Sequence, residues 1–269
     1  MSDALHKKRK YRSVLYISHD FQLYLGSLNL TDNEPSSPPQ VFATSIEGGL
    51  NMRLPAGEAH NVHSMFCHHG VKRSLTLDGF YAYLILEPGN PYGHILQNRM
   101  TPLANDLYVN IDEINAFQSV FKTVLLQKPP IAEVKQYLDE LIINEQHRFY
   151  VDNMVDKRVL SIMNVIKQDP IRTFTVEELA QTIHLSPSRL MGLFKGETGM
   201  TIGQYNALRK LIYAYYLIAK GQNLSQAAKT AGFYDDSHLA KTSKKFIGIL
   251  PSTLFSADTS TELIGTIDF

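Results

Sequence analysis

Two sets of residues have the types and spacing to hold a polyanion and read what it carries. Ser188, Arg189, Met191, Gly192 and Lys195 form the outward stripe of one short helical pattern, and Asp236, Ser237, His238, Lys241, Lys244 and Lys245 form that of another. Lysine and arginine neutralise phosphates and supply most of the affinity for a nucleic acid, while short polar side chains near a helix N-terminus reach base edges in the major groove. The charge distribution points the same way. Residues 157–255 hold 13 Lys or Arg against 6 Asp or Glu, a balance of +7. Residues 1–156 hold 13 against 17, and Asp258, Glu262 and Asp268 follow, so the formal total of zero hides an asymmetry. A basic segment tethered to an acidic one is expected where only one of them faces a polyanion.

Each stripe follows a helix start signal and a bend. Thr175-Val176-Glu177-Glu178 reads as a capping box, and Leu179, Ala180 and Ile183 give its helix an apolar face. His184-Leu185 makes a short turn, and Ser186-Pro187 caps a second helix over 187–197, which buries Leu190, Leu193 and Phe194 and stops at Gly199. A long connector over 202–220 ends at Gly221, a residue suited to a left-handed stop. The arrangement then recurs. Ser225 reads as the cap of a short helix with Ala227, Ala228 and Ala231 at close contact, and Gly232-Phe233 turns the chain into a helix over 235–246. Two helix-turn-helix units on one connector would place two reading helices on the same side, about one helical turn of DNA apart.

Over 156–255 the chain resembles the AraC/XylS family of transcription regulators. The resemblance rests on Leu179-Ala180, Ser186, Leu190, Phe194, Gly199, Tyr205, Leu224, Ala227-Ala228, Gly232-Phe233, Asp235, Ser237, Gly248 and Pro251, in order and nearly in register. Two places depart from it. Leu239, Lys241 and Ser243 stand where the family usually has an aromatic, an arginine and another aromatic. Lys241 then meets a phosphate or a guanine without a planar fork, and Ser243 is expected to weaken local packing. Met191 and Gly192 occupy positions where polar base readers are common, which leaves Arg189 and Lys195 as the main contacts of the first unit. The resemblance implies a transcription regulator, an activator or a repressor, with double-stranded DNA and RNA polymerase as partners and a second copy of the chain as a homodimer partner. It implies no enzymatic activity and no cofactor.

From 11 to 100 the chain shows short period-2 runs, among them Val14-Leu15-Tyr16-Ile17 and Tyr81-Ala82-Tyr83-Leu84-Ile85, separated by Pro- and Gly-rich turns. Amphipathic helices follow over 112–149, fit either to cover these strands or to pair with a second subunit. The fold class expected is therefore α+β and multidomain: a small antiparallel β-barrel, cupin-like, with helices, then an all-α domain with two helix-turn-helix units. The boundaries fall at 1–150 for the sensory and oligomerisation domain, 151–256 for the DNA-binding domain and 257–269 for a tail. A barrel of this size encloses one small ligand, and Phe42, His60, Tyr81 and Tyr83 are the candidate lining of an effector site.

His60, His63, His68, His69 and His94 lack the His-x-His pair that opens a cupin metal site, so no metal is expected. Pro55-Ala56-Gly57-Glu58-Ala59-His60 resembles the turn before a strand in cupin-type sensors. The alternative reading is a metal-dependent cupin enzyme with an accessory helical domain. No Gly-x-Ser-x-Gly, phosphate-binding Gly-rich loop or His-Glu-x-x-His occurs. A single cysteine, Cys67, excludes an internal disulfide and fits a reducing compartment. With no apolar run of about 18 residues and no signal-peptide core, a cytoplasmic location and no membrane partner are expected.

Overall fold

The computed structural model describes residues 13–27, 39–77, 79–143, 155–255 and 261–264. Eight strands open the chain: β1 (Val14–Ile17), β2 (Phe21–Gly26), β3 (Gln40–Glu47), β4 (Leu50–Arg53), β5 (Ala59–Val62), β6 (Ser64–Cys67), β7 (Ser74–Leu77) and β8 (Phe80–Leu86). Helix α1 (Pro91–Asn98), strands β9 (Met100–Ala104) and β10 (Leu107–Ile111), and helices α2 (Ile114–Gln127) and α3 (Ile131–Ile142) follow. The rest is helical: α4 (Lys157–Gln168), α5 (Val176–Thr182), α6 (Pro187–Thr198), α7 (Ile202–Ala219), α8 (Leu224–Thr230), α9 (Asp236–Ile247) and α10 (Pro251–Leu254), before a last strand, β11 (Glu262–Ile264).

The strands form two sheets rather than the closed barrel expected. One is eight-stranded in the order β11-β1-β2-β8-β3-β6-β10-β9, and the other is three-stranded in the order β5-β4-β7. The large sheet is covered on both faces, so β1, β2 and nearly all of β8 are buried and the period-2 pattern expected of them does not mark an exposed face. On one face Phe42 packs on Phe117 of α2 at 5.3 Å between ring centroids, and the apolar stripes of α2 and α3 (Phe117, Phe121, Val124, Val134, Leu138, Ile142) are buried there. The stripes are thus spent on the sheet. On the other face, Leu15, Tyr24, Val41, Met65, Tyr81 and Tyr83 join Leu50, Met52 and Leu77 of the small sheet and Leu208, Ile212 and Tyr215 of α7 in one continuous core.

Two devices tie the strands to the following helices. Glu87, just past β8 and 4% exposed, takes a hydrogen bond from the Tyr205 hydroxyl and pairs with Arg209, which is fully buried on α7, at 3.3 Å. Lys167 of α4 approaches the same carboxylate at 3.6 Å. The second tie is β11, which adds to the edge of β1 in parallel, with Val14 opposite Glu262 and Tyr16 opposite Ile264, while Glu262 pairs with Lys128.

Several boundaries differ from expectation. Asn90 caps α1 and Pro91 opens it, so the Asn-Pro pair read as a turn is a helix start. The apolar spacing of Val155, Val159, Ile162, Met163 and Ile166 predicts a helix from about Asp152 to Gln168; α4 begins at Lys157, capped by Asp156, and Asp152 itself lies outside the described residues. Helix α8 is capped by Asn223, not Ser225, because Gln226 three residues on completes a capping box with it. No described helix is long and apolar enough to cross a membrane.

Candidate nucleic-acid interface

The two short helix pairs, α5–α6 and α8–α9, share one backbone construction. In each, the first helix ends in a paired-hydrogen-bond turn whose last residue is left-handed. At the end of α5 the amide of His184 donates to the Gln181 carbonyl (3.3 Å) and that of Leu185 to the Ala180 carbonyl (3.0 Å). After α8 the amide of Gly232 donates to Lys229 (3.0 Å) and that of Phe233 to Ala228 (2.9 Å). The left-handed residue is His184 at φ 53° in one unit and Gly232 at φ 79° in the other. Ala180 and Ala228, both buried, hold corresponding places and let the two helices approach closely. The second helix of each pair then starts from a side-chain cap: Ser186 accepts from the Arg189 amide, and Asp235 from the His238 amide at 2.7 Å.

Helix α7, 18 residues long, joins the units. Near its start Tyr205 packs on Phe194 of α6, with ring centroids 5.7 Å apart. Near its end the Tyr215 hydroxyl meets the Ser243 hydroxyl of α9 at 2.6 Å. Ser243 is fully buried and also donates to the Ile249 carbonyl. Its expected packing defect is corrected by this contact: Tyr215 reaches across from α7, and the small hydroxyl satisfies both it and the carbonyl that follows α9.

All eleven candidate contact residues lie on exposed surface of α6 and α9: Ser188, Arg189, Met191, Gly192 and Lys195 on the first, Asp236, Ser237, His238, Lys241, Lys244 and Lys245 on the second. The intervening positions Leu190, Phe194, Leu239, Thr242, Ser243 and Phe246 are buried. Each helix therefore keeps one face for the core and offers the other to solvent. Tyr234, 87% exposed at the mouth of α9, is a further aromatic on this surface, outside the candidates drawn from the sequence.

The candidate effector residues separate. Tyr81 and Tyr83 line an apolar cavity between the large sheet and the C-terminal helices, together with Leu15 and Tyr24 from the strands and Leu208, Ile212, Tyr215 and Ile249 from the helical side. The space enclosed by this lining is about 50 Å³. Phe42 instead points to the opposite face of the sheet, against Phe117, and His60 lies on β5 beside Glu58 at 3.7 Å. The helical half of the lining could not be anticipated from the strands. Among the described residues no three His, Cys, Asp or Glu side chains come together to hold a metal, so the enzyme alternative gains nothing from the geometry.

Comparison with known proteins agrees with this geometry. A family model described as a helix-turn-helix domain matches residues 179–257. The probable transcriptional regulator LumQ of Photobacterium leiognathi is 34% identical over 92 residues, 34% of this chain and 37% of that protein. The match thus spans little more than a third of that relative's length. Crystal structures of ToxT from Vibrio cholerae share the fold across nearly the whole chain. One has a TM-score of 0.55 at 14% identity, covering 93% of this chain and all of that one. Another, with an unsaturated fatty acid bound, has a TM-score of 0.51 at 13% identity, covering 87% and 94%. Residues 179–257 of this chain form a helix-turn-helix domain.

Proposed function

We propose that the protein is a sequence-specific DNA-binding transcription regulator in which α6 and α9 enter successive major grooves. The observation that carries this reading is the repeated unit itself: two helix pairs with the same left-handed turn, joined by one connector, each presenting polar and basic residues outward. In this reading Arg189, Lys195, Lys241, Lys244 and Lys245 neutralise phosphates, and Ser188, Asp236, Ser237 and His238 sit near the helix starts where base edges are in reach. Met191 contributes apolar contact, of the kind a thymine methyl offers. The partners are double-stranded DNA, RNA polymerase and a second copy of the chain, and the site of action is the cytoplasm.

The cavity supplies the control. Its walls come from β1, β2 and β8 on one side and from α7, α9 and the segment after α9 on the other. An apolar small molecule seated there touches the connector of both units and one reading helix. It shifts DNA binding by the difference in its affinity for the two arrangements of those helices. That ToxT has been crystallised with an unsaturated fatty acid supports an apolar effector for this architecture. The test is a footprint on DNA selected by the full chain. Protection of two major-groove segments about 10 base pairs apart supports the reading, and uniform protection of unrelated duplexes contradicts it.

A further inference from the structure

Of the outward side chains on α6 and α9, all but Asp236 are neutral or basic. Asp236 is the first residue of α9 and is exposed, yet it is not the helix cap: Asp235 fills that place by accepting the His238 amide at 2.7 Å. One Asp236 oxygen, Oδ1, accepts the neighbouring Ser237 amide at 3.1 Å, and among the described residues no basic side chain pairs with the group. A carboxylate on a surface turned to phosphates repels them, so it lowers affinity for every duplex alike. The corresponding first residue of α6 is Pro187, so the first unit carries no such charge at its helix start. A charge that opposes binding in general, kept on the reading face of one unit alone, points to a role in choosing between sequences.

Asp236 is also the one side chain on the outward face of α9 that only accepts hydrogen bonds, since the lysines only donate and Ser237 does both. His238 is turned to the bend: its Nδ1 takes the Tyr234 amide at 3.5 Å, and its ring meets Phe233 edge-on with centroids 5.3 Å apart. The start of a reading helix is where base edges come within reach, and the donors exposed in the major groove are the amino groups of cytosine and adenine. Adenine N6 lies between two acceptors, its own N7 and the O4 of the paired thymine, which a carboxylate would meet unfavourably. Cytosine N4 has such a neighbour, guanine O6, on one side only. We propose that Asp236 selects a cytosine, its second oxygen, Oδ2, accepting from the N4 amino group. This rests on the DNA-binding reading of α9 and adds the base and the residue that selects it.

The test selects duplexes from a random pool with the full chain, for wild type, Asp236→Asn and Asp236→Ala. It then measures affinity for the wild-type consensus and for copies carrying N4-methylcytosine at each of its cytosines in turn, which puts a methyl in place of the groove-facing proton. At one cytosine the modification is expected to weaken wild type by about tenfold and to leave Asp236→Ala unaffected. Asp236→Asn is expected to exchange cytosine for adenine at that position, because an amide meets adenine N6 and N7 together. Both variants are expected to bind unrelated duplexes more tightly than wild type, having lost a repulsive charge. Unchanged base preference in both variants, a preference that changes only at a position other than a cytosine, or an N4-methyl effect that persists in Asp236→Ala would overturn the Asp236 proposal and leave the DNA-binding reading standing. A wild-type chain that enriches no duplex would overturn both.

Discussion

Glu87 is replaced by Gln to test the tie between the strands and the helical domain. The substitution keeps the side chain's shape and removes its charge. Arg209 is then left fully buried with no opposite charge at 3.3 Å, and Tyr205 loses a charged acceptor. At an effective dielectric of about 20, unit charges at that separation attract by about 5 kcal/mol. Breaking a buried pair from one side costs about 3–5 kcal/mol, because the survivor remains desolvated. That is a large share of a typical stability of about 5–15 kcal/mol. Arg209→Met alone should cost a similar amount, yet combining it with Glu87→Gln should recover much of the loss, since neither charge of the pair then remains. Urea unfolding followed by far-ultraviolet circular dichroism reads this out, the chain having no tryptophan to report by fluorescence. The cycle should show a coupling of at least about 2 kcal/mol. Single-variant losses under about 1 kcal/mol that simply add would refute the reasoning.

Five further substitutions probe the helix-turn-helix units. His184→Gly should raise the melting temperature by relieving a left-handed residue worth about 1 kcal/mol, whereas Gly232→Ala should lower it, with its new Cβ only 3.3 Å from the Ile171 carbonyl oxygen. Ser243→Ala and Tyr215→Phe should each cost about 1–3 kcal/mol in chemical unfolding and be strongly non-additive, because they break one buried contact. Asp235→Ala should cost about 1 kcal/mol of stability by uncapping α9, and should weaken DNA binding by fraying the end of the helix that carries Asp236, Ser237 and His238.

What the sequence made legible was local. Caps, the 3.6-residue period and the buried alanines of α5–α6 and α8–α9 involve residues a few places apart, so the paired units could be read without knowing what surrounds them. The sheet could not be ordered that way. Its strands pair β8 with β2 and β3, and β1 with the distant β11, by contacts that leave no local trace. Burial of both faces also removed the alternation that would have shown Phe42 pointing one way and Tyr81 and Tyr83 the other. Ser243 looked like a defect because its partner, Tyr215, lies 28 residues away.

The central claim is that α6 and α9 bind DNA through phosphate-neutralising and base-reading contacts, and the salt dependence of binding tests it most directly. Affinity of the full chain for a selected duplex should fall linearly in log-log form with salt. Arg189→Ala and Lys241→Ala should each reduce the slope by about 1 while leaving the folded state intact. A chain that prefers no duplex over random DNA at any salt concentration, or whose slope is unmoved by both substitutions, would contradict the account.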